Sequence, residues 1–414
     1  MKKPISRSAL ALATAAVLAT TGCGGSGFSE SEGGGSQSAS GSGELTVLIG
    51  SSGPAETDAV TAAADAWAQE SGDSVEVTAA QDLNQQLSQG FAAGSPPDVF
   101  YVSSDLVASY AANGSLEPYG DDLENADDFY PNLREAFTVD DTFYCAPKDF
   151  STLALVINTD AWTAAGLTDA DVPTTWEQLA SVAQRLTTPT QVGLTTSAEY
   201  QRLGAFMAQA GGGLVTDGEA SASSQENVEA LQYVKSMIAA GSMRFAADLD
   251  AGWAGEAFGT GKAAMTIEGN WMIGAMAADY PDVAYQVAPL PEGPAGPGTL
   301  TFTNCWGIAA DGANKEAARD LVEHLTSTEQ QLEFATAFGV MPSVQSAAEQ
   351  WRTDNPEAVA FLDQAASATA VPNQEGVSDV VTDLNSQLES LATAEPQGIL
   401  DSTQTNLEAA LGAS

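Results

Sequence analysis

Leu45–Thr78 reads LTVLIGSSGPAETDAVTAAADAWAQESGDSVEVT, and this stretch decides the fold. Leu45 to Ile49 is a continuous apolar strand. Ala59 to Gln69 carries Val60, Ala64 and Trp67 at helical spacing, and Val75 to Thr78 is a second short strand. The chain therefore opens β-α-β. The pattern recurs with a helix over Leu83–Ala93, a break at Ser95-Pro96-Pro97, a strand over Asp98–Val102 and a helix through Leu106–Ala112. Short buried strands alternating with helices predict an α/β fold whose mainly parallel sheet is covered on both faces. Ligands in such folds sit beyond the carboxyl ends of the strands, which places Gly50 to Glu56 and Tyr101 to Asp105 at the rim of a cleft.

Downstream, Phe150 to Asn158 is a longer β-type run, followed by a helix over Asp160–Ala165. A further helix spans Trp176–Leu186, with Thr174 or Thr175 as its N-cap and Glu177 in its first turn. Helices follow at Gln201–Ala210, stopped by Gly211-Gly212-Gly213, and at Glu226–Ala240. Gly261 to Ile267 reads as a turn into a strand, Pro291 to Gly298 as a surface loop, Trp306 to Ala310 as a strand and Lys315 to Thr326 as a helix. No repeat of fixed period runs through the chain, which argues against a solenoid.

Upstream, residues 24–43 are mostly Gly and Ser and cannot bury enough surface to fold; they read as a tether over residues 23–43. Ahead of it stand the basic residues Lys2, Lys3 and Arg7, a short apolar stretch Ala9–Thr20, and Thr21-Gly22-Cys23. This arrangement is similar to a bacterial lipoprotein signal over residues 1–22, too short to span a membrane. Thr20 departs from it, since such signals usually carry Leu there. The similarity implies a lipid on the sulfur of Cys23, and two or more acyl chains on the mature N-terminus would hold the protein on the outer face of the cell membrane. The alternative is an ordinary secretory signal.

Loss of Lys2, Lys3 and Arg7 leaves 10 of the 13 basic residues against 55 acidic ones and moves the net charge from −42 to −45. Such a surface repels nucleic acid and anionic lipid, which excludes both as partners. With 44% hydrophobic residues, the ~370 residues after the tether suffice for two lobes. Cys145 and Cys305 are the cysteines besides Cys23. In an oxidising compartment one disulfide is the simpler account of them, two buried free thiols the other.

Several segments then carry a resemblance. They are Ser95-Pro96-Pro97-Asp98-Val99; Lys148 to Leu155 running into Asn158-Thr159-Asp160; Ala164-Ala165-Gly166-Leu167 before Pro173-Thr174-Thr175-Trp176; Gly261 to Met265 with Gly269-Asn270-Trp271; and Gly307-Ile308-Ala309 before Asn314 to Ala318. None is specific alone. In this order and spacing, from about Leu45 to Ser343, the chain resembles the extracellular solute-binding proteins of ABC importers, in particular those that bind sugars. The resemblance implies a two-lobed, periplasmic-binding-protein-like fold with a ligand cleft between the lobes and a multi-segment hinge. The expected first lobe is residues 44–153 plus 306–340, and the second 154–305 plus 341–414. Crossings are expected near Leu153–Asn158 and Asn304–Ala309, where a Cys145–Cys305 disulfide would tie the hinge-side segments together. The implied partners are a carbohydrate and the transmembrane subunits of a permease, with a monomeric protein, no cofactor and no metal.

Sugar recognition needs flat apolar faces together with carboxylates and amides that pair with hydroxyls. Trp271, after Gly269-Asn270, is the leading aromatic candidate; Trp253 and Trp306 follow, and Tyr101 and Tyr200 are weaker still. Trp67, Trp162 and Trp176 read as core. Glu56, Ser104, Asp105 and Asp149 are the polar candidates on the first-lobe side, with Ser51, Ser52 and Asn304 as further hydrogen-bonding groups. Lys148 reads as a hinge salt bridge. An enzyme is disfavoured, since the one histidine, His324, lies within a helix and Gly255 to Lys262 misses phosphate-loop spacing with Ala263 in place of Ser or Thr. The alternatives within binding are a polyamine or phosphorylated polyol as ligand, or a surface glycan-binding module uncoupled from transport.

Overall fold

A computed structural model describes residues 44–374 and 376–412. Cys23, the leader and the Gly/Ser tether lie outside the described residues. Strand Glu44–Ile49 pairs in parallel with Ser74–Ala79, from Glu44 opposite Ser74 to Ile49 opposite Ala79, and on its other side with Val99–Ser103. The connecting helix begins at Pro54 rather than at Ala59 and ends at Ser71. Proline suits a first helical turn, where its missing N–H would have had no intrahelical partner. The helix stops at Gly72, whose φ of 84° is left-handed and whose N–H returns to the Ala68 carbonyl. Val60, Ala63, Ala64 and Trp67 form its buried face, and each large apolar side chain so buried contributes about 1.5–3 kcal/mol.

The first sheet has the order Ser74–Ala79, Glu44–Ile49, Val99–Ser103, Asn304–Ile308, Ala146–Pro147. The second runs Met243–Phe245, Val192–Thr196, Ala263–Gly269, Ser151–Asn158, Thr299–Phe302, Ala368–Ala370, with Tyr285–Ala288 also paired to Ser151–Asn158. Three neighbouring strands of each sheet are parallel, as alternation with helices predicts, and in the second sheet Thr299–Phe302 also pairs in parallel with Ala368–Ala370. The remaining pairings around Asn304–Ile308 and Ser151–Asn158 are antiparallel, so the sheets are mixed. The cause is the return of the chain: a strand leaving one lobe and a strand coming back lie side by side in opposite directions.

Each sheet has its own core. Leu45, Trp67, Phe100 and Trp306 belong to the first, and Leu155, Trp162, Trp176, Phe206 and Met265 to the second. The C-terminal helices Val377–Leu388 and Pro396–Leu411 close the second core through Leu384 and Leu407. Two separate cores on two sheets make the molecule two-lobed.

The chain changes sheet between Pro147 and Ser151, and again at Thr303 between Phe302 and Asn304. These crossings precede the expected ones. Leu153–Asn158 is not a crossing, because its apolar run is an interior strand of the second sheet with neighbours on both sides. Asn304–Ile308 likewise lies inside the first sheet. The crossings are polar, and they are tied together: the Thr303 hydroxyl donates to the Asp149 carbonyl at 2.6 Å, and the Lys148 N–H to the Asn304 carbonyl at 2.8 Å. On the first-lobe side of both crossings a disulfide joins Cys145 to Cys305, with Cα atoms 5.6 Å apart and both residues fully buried.

Candidate functional site

A cleft of about 400 Å³ lies along the hinge, within the about 300–1,000 Å³ usual for small-molecule sites. Its first-lobe side is built from the ends of two strands and the start of a helix. Gly50 and Ser52 follow strand Glu44–Ile49, Glu56 sits in the first turn of helix Pro54–Ser71, and Ser103, Ser104 and Asp105 end and follow strand Val99–Ser103. This is the strand-end position that the β-α-β reading predicts.

Glu56 is buried and fully engaged. Its Oε1 accepts from the Tyr101 hydroxyl and from Lys148 Nζ, both at 3.0 Å, and its Oε2 from the N–H and hydroxyl of Ser52, both at 2.7 Å. Burial alone would raise its pKa, but the Lys148 ammonium and the Ser52 donors outweigh it and hold the carboxyl below its ordinary value. Lys148 also pairs with the Asp149 carboxylate and lies 4.7 Å from the centre of the Tyr101 ring. Burial would lower the lysine's pKa, and the two carboxylates instead raise it. Asp149 is only 8% exposed, and burial pushes its carboxyl up even with Lys148 beside it. The hinge salt bridge read from the sequence is thus present, as a buried Glu56–Lys148–Asp149 bridge that spans the floor of the cleft.

The second-lobe wall is aromatic. Trp271 is the single large apolar side chain among the described residues that is prominently exposed, at 36%. A Cβ on Gly269 would lie 2.2 Å from its ring, so the indole packs directly against that glycine backbone. The indole N–H donates to Glu268 Oε2 at 3.0 Å, Phe302 meets the ring edge-on at 5.4 Å, and the Arg202 guanidinium lies 5.0 Å from the ring centre. Glu268 is 0% exposed; burial raises its pKa, while Arg202, the Gly269 N–H and the Trp271 N–H pull it back. Gln201, Asn270, Thr301 and Thr303 add polar groups, and Phe338 adds an apolar one.

Of the residues singled out in the sequence, Glu56, Ser104, Asp105, Asp149, Trp271 and Asn304 are brought together around this cleft. Four aromatics are not, the first being Tyr101, which is 1% exposed in the first core and gives its hydroxyl to Glu56. Trp306 is 1% exposed in the first core, packed edge-to-face on Tyr101 at 4.8 Å, because it is an interior strand residue. Tyr200 is buried in the second core at the start of helix Tyr200–Ala210. Trp253 folds over Gly255 and packs beside Phe258, Met272 and Met276. Sequence reasoning missed Glu268, Arg202, Phe302 and Phe338. The run Glu268-Gly269-Asn270-Trp271 held the signal for the first, since a glycine two residues before a tryptophan leaves room for the ring to lie back on the strand end.

Two lobes with separate cores, polar crossings and a cleft along them define a binding protein of the hinged, two-lobed class. The sequence profile of the bacterial extracellular solute-binding proteins matches residues 53–332, and the chain belongs to that family. A binding protein of Brucella abortus (strain 2308) is 24% identical over 352 residues, covering 80% of this chain and 83% of its own length. Among solved structures, the cyclic alpha-maltosyl-1,6-maltose binding protein from Arthrobacter globiformis superposes with a TM-score of 0.79 at 23% identity, covering 90% of this chain and 99% of that one. The GacH receptor of Streptomyces glaucescens, solved unliganded and with acarbose, gives 0.78 at 22% identity, covering 89% and 98%. UgpB from Mycobacterium tuberculosis, solved with glycerophosphocholine, gives 0.78 at 20% identity, covering 90% and 99%.

Proposed function

We propose that the protein captures a sugar or oligosaccharide in this cleft and delivers it to an ABC permease, without chemistry on the ligand. The observation that carries this reading is Trp271, an indole face held open on one wall opposite hydrogen-bonding carboxylates and hydroxyls. That combination suits a pyranose, which has an apolar face and a polar rim. Acarbose, with which one structural neighbour was solved, and the cyclic maltosyl-maltose for which another is named belong to the same chemical class. Asp105, Asp149, Ser104 and Asn304 are the polar contacts in this account, and Glu56 shapes the floor rather than accepting from the ligand, because its acceptor positions are filled. The same saturation argues against Glu56 as one of a glycosidase's two carboxylates: both its oxygens are taken and Lys148 holds it ionised, so it neither donates a proton nor attacks.

The lobes in this account are residues 44–147 plus 304–340 and 151–302 plus 341–414, hinged at residues 148–150 and at Thr303, which moves the expected boundaries at 153/154 and 305/306 to the points where the chain changes sheet. Closure of the second lobe over the ligand makes the form that the permease reads. The protein works as a monomer on the outer face of the cell membrane, anchored through lipid on Cys23 and the tether.

A phosphorylated polyol fits less well, since Lys148 is the one cation lining the cleft among the described residues and it is committed to two carboxylates. The surplus of carboxylates, Asp105 and Asp149 beside Glu56, favours an amine-bearing ligand such as a polyamine as the second reading. Thermal unfolding across a panel of neutral saccharides, sugar phosphates and polyamines tests these readings, because a ligand that binds only the folded form stabilises it. A neutral saccharide is expected to raise Tm. A response confined to polyamines would replace the first reading with the second, and a response confined to sugar phosphates would overturn both.

A further inference from the structure

Trp271 alone does not explain why its indole stands where it does. An exposed tryptophan at a helix start has several rotamers open to it, and a ligand platform is useful only if one is fixed beforehand. Four contacts fix this one. Gly269 leaves the benzo-ring atoms Cζ3, Cη2 and Cε3 free to pack where a Cβ would otherwise stand, Phe302 meets the ring edge-on, Glu268 takes its N–H, and the Arg202 guanidinium lies over one face. Two of the four are charged and mutually paired: Arg202 Nη2 donates to Glu268 Oε2 at 3.0 Å, the same oxygen that accepts from Trp271. Arg202 is held from its other side by Glu199 at 3.2 Å.

This is a costly way to hold a ring. Glu268 is fully buried, its second oxygen, Oε1, accepts no hydrogen bond among the described residues, and the Nε of Arg202 is also without one. A buried ion pair with such gaps is weak support for stability, and an apolar pair of similar volume would serve the core as well. Its geometry converges instead on one indole.

We propose that Glu268 and Arg202 are positioning residues that clamp Trp271 into the cleft, fixing its edge through the N–H and covering one face so that a single face is presented to ligand. This rests on the reading of Trp271 as the ligand platform only for its purpose; the clamp itself is a property of the unliganded protein. It assigns Glu268 and Arg202, which line no part of the cleft themselves, a role in ligand affinity through Trp271.

The test compares wild type, Glu268→Ala, Glu268→Gln and the paired replacement Arg202→Met with Glu268→Leu. The paired replacement removes both charges together, so the protein stays folded even where a single substitution does not. The Trp271 signal is isolated from those of the other tryptophans by subtracting, for each protein, its Trp271→Phe counterpart, and is read as acrylamide quenching and anisotropy without ligand. Glu268→Ala and the paired replacement are expected to raise quenching at least twofold and lower anisotropy, while Glu268→Gln, which keeps the acceptor oxygen, stays near wild type. Unchanged quenching and anisotropy in the folded paired replacement would overturn the clamp.

A second arm measures maltotetraose and acarbose affinity in the same proteins. Both probes are expected to lose roughly tenfold in the paired replacement and to lose nothing further when it is added to Trp271→Ala. A loosened Trp271 with unchanged affinity would refute the platform reading while leaving the clamp in place, so the two failures are distinguishable.

Discussion

Replacing Lys148 by Met removes the one cation of the hinge floor and leaves Glu56 and Asp149 buried side by side. The lysine side chain is 7% exposed and its Nζ lies 3.0 Å from Glu56. At an effective dielectric of about 20, the attraction to that one carboxylate is ~5 kcal/mol. Methionine recovers the packing and the lysine's own desolvation cost, so the expected net loss at pH 7 is the ~3–5 kcal/mol typical of a broken buried pair. With about 2 cal/mol/K of unfolding entropy per residue, this lowers Tm by roughly 4–7 °C. The pH dependence is diagnostic. In the wild type Glu56 is held below its ordinary value of 4.5, so its contribution is present above that pH and is lost as pH falls through the folded value. Lys148→Met removes the cause of that depression, and the two neighbouring carboxylates then favour protonation. The stability gap between the proteins should therefore be widest at neutral pH, begin to narrow above pH 4.5 as the variant's carboxyls take up protons, and narrow further below pH 4.5 as the wild type loses the Glu56 contribution. Urea unfolding of both proteins at pH 7.5 and at pH 4 measures it. A gap under about 1 kcal/mol at pH 7.5, or one that does not shrink at acid pH, would refute the account of the floor as a lysine-compensated carboxylate pair.

Three further outcomes follow from the same geometry. Cys145→Ser with Cys305→Ser opens a loop spanning a sequence separation of 160, and the chain-entropy limit for such a loop is ~5 kcal/mol; the loss of stability should approach but not exceed that figure, with ligand affinity unchanged because the crosslink lies behind the cleft in the first lobe. Gly269→Ala puts a Cβ 2.2 Å from the Trp271 ring, so the indole must leave its seat; calorimetry should show an affinity loss like that of Trp271→Ala, and an unaltered Kd would mean the ring is not packed there. The intact mass of the protein extracted from its membrane should exceed that of residues 23–414 by a diacylglyceryl and acyl increment, and an unmodified N-terminus would remove the lipid anchor.

The sequence carried much of the fold because the fold is locally encoded. Helix Trp176–Leu186 lies within its predicted bounds, with Thr175 accepting from the Gln178 N–H as N-cap, since a cap and an apolar stripe are both short-range signals. The strand-end placement of Glu56, Ser104 and Asp105 was legible for the same reason, through the β-α-β rule. What local pattern could not show was pairing. Leu153–Asn158 is apolar whether it crosses a hinge or lies inside a sheet, and only its neighbours in the second sheet decide. Trp306 and Trp253 carry the same ring as Trp271, and their burial depends on partners far away in the chain. Glu268 and Arg202, 66 residues apart, meet only in the folded protein.

The most direct test of the central claim is calorimetric titration of the saccharide that most stabilises the protein into wild type and Trp271→Ala. Stacking on the exposed indole predicts a loss of about 1–3 kcal/mol, a rise in Kd of roughly 5- to 150-fold, with both proteins equally folded. The same Kd in the two proteins would contradict the account, since it would put the ligand somewhere other than against the wall that Trp271 forms.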